Sequence, residues 1–162
     1  LTIYEGTTAI QANDLVGRKT ARDGGQTAKG IAAQVAETEA ALVASGSAQA
    51  LAVAKRLKAA REAFLDVVDF VAGKTKAEPN AVFAGSVPYL MLAGNLVAGW
   101  QLARSLRVAE EQLAAGVDTA FMQAKIATAH FYAAHLLNKA PGIRDSIVDG
   151  AASVTALALE SF

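Results

Sequence analysis

Apolar residues recur along this chain at steps of three and four, broken by short polar or glycine-containing stretches, and strand-like alternation is nearly absent. The pattern predicts helices almost throughout. A first helix is expected from Thr8 to about Arg22, with Asp14 and Arg18 at i,i+4 and Lys19 and Arg22 near its C-terminus, where cations favour the dipole. Gly24-Gly25 ends it. A second helix runs from about Thr27 to Ala44, with Ile31, Val35, Leu42 and Val43 on one side and Glu37 and Glu39 turned away. Ser45-Gly46-Ser47 stops it, and Ser47 is placed to cap the next.

The third helix, about Ala48 to Ala72, shows the clearest two-sided pattern. Leu51, Ala54, Leu57, Phe64, Leu65, Val68 and Val71 form its apolar face, and Lys55, Lys58, Glu62, Asp66 and Asp69 stand off it. Gly73 to Asn80 is a polar connection with Pro79 at a helix start. From Ala81 to Ala103 there is no charge, a window long enough for a membrane span. Pro88, Asn95, Gln101 and the glycines at 85, 94 and 99 instead suit the central helix of a bundle, where small residues allow close approach. Pro88 either starts a new turn after Ser86 or kinks a helix already running from Pro79. Charge returns between Arg104 and Gln112, and Ala114-Ala115-Gly116 closes the helix. Asp118 then caps a fifth helix, about Thr119 to Leu137, carrying Phe121, Met122, Ile126, Phe131, Tyr132, Leu136 and Leu137. Asn138 to Gly142, with Pro141, ends it. A weaker pattern through Ile143, Ile147, Val154 and Leu157 suggests a short docking helix. The expected architecture is all-α: an antiparallel up-and-down helical bundle of about four long helices with a lead-in helix.

Composition supports a buried helical protein, with 53% hydrophobic and 19% charged residues among 162. Lys plus Arg and Asp plus Glu are 15 each, so no basic face offers itself to a polyanion and nucleic acid is not an expected partner. The absence of Cys excludes disulfides and thiolate chemistry and fits a reducing, cytoplasmic compartment. No metal site is expected. Glu62 and Asp66 form an i,i+4 like-charge pair better read as a solvated face, and His130 and His135 stand five apart, off the spacing of helical metal ligands. No glycine-rich phosphate loop follows a strand pattern.

The candidate chemistry lies at the opening of the chain. In Tyr4-Glu5-Gly6-Thr7 a carboxylate stands beside a glycine, whose missing Cβ lets a ligand approach the backbone, and Thr7 or Thr8 can cap the helix that follows. On composition and spacing alone, Glu5 is more simply a surface acid before an ordinary cap. Ile3-Tyr4-Glu5-Gly6-Thr7, with Ile10-Gln11 and Asp14-Leu15-Val16-Gly17-Arg18-Lys19, resembles the catalytic-base segment of the acyl-CoA dehydrogenases. That resemblance implies that Glu5 takes the α-proton of an acyl thioester while the β-hydride passes to FAD, that Gly6 lies against the thioester and that Thr7 contacts the flavin. The family often has Gln two residues after that Thr as a further flavin contact; this chain has Ala9 there. Pro88-Tyr89-Leu90, Gly99-Trp100-Gln101-Leu102-Ala103-Arg104 and Phe131-Tyr132-Ala133 resemble the extra C-terminal helical domain of a subgroup of long members, those similar to 3-methylmercaptopropionyl-CoA dehydrogenase.

On this resemblance the chain is expected to be a C-terminal fragment. Residues 1–23 would end the dehydrogenase helical domain and residues 24–162 would form the extension. The implied partners are an acyl-CoA substrate, FAD in the full-length enzyme, the N-terminal and middle domains of the same enzyme, a second subunit in a homodimer and an electron-transfer flavoprotein. The fragment alone is expected to be inactive. The alternative is a non-catalytic helical interaction module, associated peripherally with a membrane through the uncharged 81–103 segment or the third helix. Glu62, Asp66 and Asp69 close behind the basic residues at 55, 56, 58 and 61 are poorly suited to anionic lipid.

Overall fold

The computed structural model describes residues 7–161. The α-helices are α1 (Thr7–Asp14), α2 (Gln26–Ser45), α3 (Ala48–Lys74), α4 (Pro79–Ala84), α5 (Ser86–Ala114), α6 (Thr119–His135) and α7 (Ala140–Val148). Leu15–Ala21 continues α1 as π-helical turns, and Leu137–Lys139, Ala151–Thr155 and Leu159–Ser161 are short 3₁₀ turns. No strand occurs among the described residues, and the all-α bundle expected from the pattern is present.

The reversals are set locally. Gly46 adopts φ 73°, a left-handed conformation that costs glycine little, and Ser47 caps α3 by accepting the Ala50 N–H at 2.9 Å. With only those two residues between them, α2 and α3 must run antiparallel. At the start of α2 Gly25 (φ 80°) meets a second constraint, since a Cβ there would lie 2.6 Å from Val68 Cγ1. Pro88 falls in the first turn of α5, after Gly85 has separated it from α4. It therefore belongs to a helix start, where its missing N–H costs no intrahelical bond.

α3 is the centre of the fold. It packs against α2, α5, α6 and α7, and buries Ala50, Val53, Ala54, Leu57, Ala60, Ala63, Phe64, Val67, Val68 and Val71. Such a stripe recurs every three to four residues, as a core-facing helix requires. α5 comes close to the Leu137 turn at Gly99, where a Cβ would stand 2.7 Å from Leu137 Cδ1. Gly94, by contrast, meets nothing within 4 Å and gives no close approach.

Several side chains depart from the expected faces. Glu39, expected to point away, is buried at 7% exposure, because it lies four residues after Val35 and three before Leu42 on the same stripe. Val43 is exposed, and so is Leu51, which sits ~100° around the helix from buried Ala50. On α6 the buried residues are Ala129 and Ala133, while Phe121 and Phe131 are 51% and 58% exposed. That helix also ends at His135, and Pro141 and Gly142 belong to the start of α7. Val154 and Leu157 are exposed, whereas Ile147 of the late apolar pattern is buried in the core and Ile143 packs against it. No helix among the described residues is long and apolar enough to cross a membrane.

Candidate functional site

Glu5 and Gly6 lie outside the described residues, and Thr7 is the first residue of α1, on the surface. How this helix is held therefore matters most for the site. Residues 7–11 are all exposed, whereas Ala12, Val16 and Thr20 are buried. The three stand four residues apart. In a continuous α-helix each such step would drift by ~40°. The wider π-helical turn over Leu15–Ala21 rotates less per residue and keeps Val16 and Thr20 on the core side. Thr20 and Tyr89 share a buried hydrogen bond between hydroxyls at 2.8 Å, tying the π-helical turns to α5. Tyr89 is 1% exposed and stacks on Phe64 of α3, with ring centroids 6.0 Å apart. Burial raises the pKa of its phenol, so the hydroxyl keeps its proton. The segment closes with the Gly25 N–H donating to the Thr20 carbonyl at 2.9 Å, a span of five residues.

A polar clamp stands across the bundle on α2. The Glu39 carboxylate accepts Arg61 Nε–H at 2.8 Å and Nη2–H at 2.9 Å, and the Trp100 indole N–H donates to Thr38 Oγ1 at 2.7 Å. Adjacent residues of α2 thus reach α3 and α5. The hydrogen bond to Glu39 raises the Arg61 pKa against the opposing effect of burial. The sequence signal for this clamp was the position of Thr38 and Glu39 on the Val35–Leu42 stripe.

The bundle also carries an open groove of about 1400 Å³ between the α2–α3 turn, the end of α5 and α6. Its walls mix small apolar residues, Ala41, Ala44, Ala48, Ala114 and Ala127, with polar ones that include Arg107, Glu110, Gln123 and His130. Glu110 accepts a hydrogen bond from the Ser47 hydroxyl, which joins α5 to the α3 cap. A smaller cleft of about 410 Å³ contains Arg144, already paired with Asp66 at 3.2 Å, Asp145 at 3.0 Å and Asp149 at 2.7 Å. With its guanidinium held by three carboxylates, that cleft is not an anion site. Glu62 pairs with Lys58 at 3.8 Å and Asp66 with Arg144, so each of these two acids of the i,i+4 pair faces a cation. His135 stacks on Phe131 with centroids 4.4 Å apart, away from His130 on the groove. Among the described residues no three His, Asp or Glu side chains converge to hold a metal.

Comparison with known proteins decides the lineage of this bundle. The sequence profile of the family described as "Acetyl-CoA dehydrogenase C-terminal like" matches residues 27–158. The chain belongs to this family. It is 50% identical over 149 residues to the 3-methylmercaptopropionyl-CoA dehydrogenase of Ruegeria pomeroyi, an alignment covering 92% of this chain and 25% of that protein. It is also 34% identical over 161 residues to the broad-specificity linear acyl-CoA dehydrogenase FadE5 of Mycobacterium tuberculosis, covering 90% of this chain and 25% of the relative. The chain spans about a quarter of the length of the curated relatives it matches. Within this C-terminal family the matched span begins after the Tyr4-Glu5-Gly6-Thr7 segment.

Proposed function

We propose that this chain is the C-terminal part of a flavin-dependent acyl-CoA dehydrogenase, an enzyme that oxidises an acyl-CoA thioester to the 2-enoyl-CoA. The observation that carries the reading is the 50% identity to a protein named as an acyl-CoA dehydrogenase, joined to the Tyr4-Glu5-Gly6-Thr7 segment at the start of the chain. Glu5 is the base that removes the α-proton, and Gly6 lets the thioester approach the backbone. A carboxylate does this work when a dry site raises its pKa towards the working pH and holds it at the α-carbon. FAD in the full-length enzyme supplies the hydride-accepting chemistry. Of the described residues Thr7 is its proposed contact, and the surface position of Thr7 at the head of α1 is compatible with a flavin bound by another domain.

Residues 1–23 close the dehydrogenase's helical domain, and residues 24–162 form an extension that packs against the N-terminal and middle domains or a second subunit. Two features support a packing role. The uncharged stretch of α5 leaves Val87, Met91 and Val97 exposed along one side, and the α6 surface carries Phe121 and Phe131. The whole enzyme is a homodimer that passes its electrons to an electron-transfer flavoprotein, and the absence of Cys is in keeping with a reducing, cytoplasmic setting. The isolated chain does not turn over acyl-CoA, because the pocket walls lie in the other domains.

The deciding experiment follows flavin absorbance anaerobically in the full-length protein, with and without Glu5→Gln, as acyl-CoAs from butanoyl- to palmitoyl-CoA are added. Bleaching in the parent and none in Glu5→Gln supports the base and names the substrate class. Equal bleaching in both moves the base elsewhere. A parent that no thioester bleaches has kept the family's fold without its reaction.

A further inference from the structure

Val87, Met91, Gly94, Ala98, Gln101 and Ser105 of α5 are all exposed, and they follow one another at steps of four, three, four, three and four. That alternation is the spacing of the seam along which two helices wind together. None of the six carries charge, and no charged residue occurs from Ala81 to Ala103. Val87 and Met91 are 37% and 53% exposed, so the seam leaves large apolar groups in water. Gly94 stands near its middle. Glycine weakens the interior of a helix, and the bundle itself does not require it here, because a Cβ would meet no atom within 4 Å. Gly94 and Ala98, one turn apart, do let a second backbone come close from outside.

The stripe is its own complement when reversed. Turned end for end about a two-fold axis midway between Gly94 and Ala98, it sets Gly94 against Ala98 of the second copy, Met91 against Gln101 and Val87 against Ser105. Each facing pair is neutral. Arg104, exposed at the edge of the stripe, decides the direction. In this antiparallel register the two copies of Arg104 lie ~24 Å apart along the helix axis. A parallel register would place them side by side, and the helix dipoles would oppose it as well.

We propose that the exposed stripe of α5 is the surface on which a second copy of this chain docks, α5 against α5 and antiparallel, with Gly94 and Ala98 at the two-fold axis. The inference rests on the reading of the whole enzyme as a homodimer and names the surface that joins its halves. It does not depend on the role of Glu5.

The test follows the full-length, FAD-loaded enzyme by sedimentation velocity over a dilution series, as parent, Gly94→Leu, Val87→Lys, Ser105→Glu and the double variant Val87→Lys/Ser105→Glu. The three positions reach water, so every variant is expected to keep the parent's helix content and its flavin. Gly94→Leu closes the approach and each single charge is buried unpaired against a neutral seam, so these three are expected to weaken the dimer about tenfold or more. The double variant sets each new lysine against a new glutamate of the other copy and is expected to return to within about threefold of the parent. That recovery requires two copies, because residues 87 and 105 of one helix are ~27 Å apart. A parent that sediments as a monomer overturns the homodimer reading and this surface together. Single variants that dimerise as tightly as the parent overturn the surface alone and leave a homodimer joined elsewhere. Single variants that dissociate with no recovery in the double variant overturn the second copy as occupant and assign the stripe to another domain of the same enzyme.

Discussion

The α2–α3 hairpin and α6 are made from similar residues and are held in different ways. α3 meets α2, α4, α5, α6 and α7, its stripe from Ala50 to Val71 is buried, and side-chain oxygens hold the start of each helix of the hairpin, Asp23 accepting from the Thr27 N–H of α2 and Ser47 from the Ala50 N–H of α3. α6 is the more apolar in composition, yet it buries Ala129 and Ala133 and leaves both its phenylalanines in water. Its cap, Asp118, holds the Phe121 N–H at 3.4 Å from a strained left-handed backbone of φ 38°. Apolar content measures what a helix could bury; the number of neighbours decides what it does bury.

The sharpest way to break this contrast is to truncate one apolar side chain in each region. Leu57 on α3 is fully buried, and Leu57→Ala is expected to cost about 3 kcal/mol through lost transfer energy and the cavity left behind. Phe131→Ala removes a larger side chain from α6 and is expected to shift stability by less than about 0.5 kcal/mol, because that ring is already in water. Urea unfolding of both variants measures the two. Equal losses would mean that Phe131 is covered in the folded protein.

The same contrast explains what was legible in the sequence. The bundle, the break at Gly24-Gly25, the Ser47 cap and the long α3 were readable because each rests on local chemistry or on a strong 3.6-residue period. The outward phenylalanines of α6 were not, because which side of this evenly apolar helix is covered is decided by its packing on α5 and α3 and not by its own pattern. Glu39 was misread because polarity was taken as exposure, although its position on the stripe placed it inside. The π-helical turns were hidden too, because the four-residue spacing of Ala12, Val16 and Thr20 is also that of Ala60, Phe64 and Val68 in the regular helix α3. Of the candidate site, Glu5, Gly6 and Thr7 were read from a motif rather than from periodicity, whereas the Thr20–Tyr89 tether needed coordinates.

The next largest effect is expected at the Glu39–Arg61 clamp. Glu39→Ala leaves the Arg61 guanidinium, 17% exposed, without its bidentate partner, at a cost of about 2–3 kcal/mol. A second change, Arg61→Met, removes the stranded charge and is expected to recover most of that loss, as apolar replacements of buried ion pairs commonly do. Urea unfolding of the single and double variants tests this. A double variant no more stable than Glu39→Ala would show that the clamp contributes through packing of the two stems and not through paired charge.

The smallest expected effect compares the two caps. Asp23 accepts the Gly25 N–H at 2.9 Å and the Thr27 N–H at 3.0 Å, and bonds from Thr27, side chain first and then backbone, hold its carboxyl below its ordinary 3.8. A carboxyl whose pKa is lower folded than unfolded stabilises the fold in its ionised form. That contribution is present in full above 3.8 and is lost as the pH falls through the lowered folded value. Asp23→Ala is therefore expected to lower the melting temperature by a few degrees at neutral pH, with the gap to the parent closing as the medium is acidified below 3.8. Asp118→Ala, which gives up a single bond at 3.4 Å and relieves a left-handed backbone only if glycine is used instead, is expected to lower it less. Melting curves at a series of pH values decide the matter. A gap for Asp23→Ala that stays constant down to strong acid would mean that the cap works as a neutral hydrogen-bond acceptor, and that the better-held end of the bundle owes nothing to that charge.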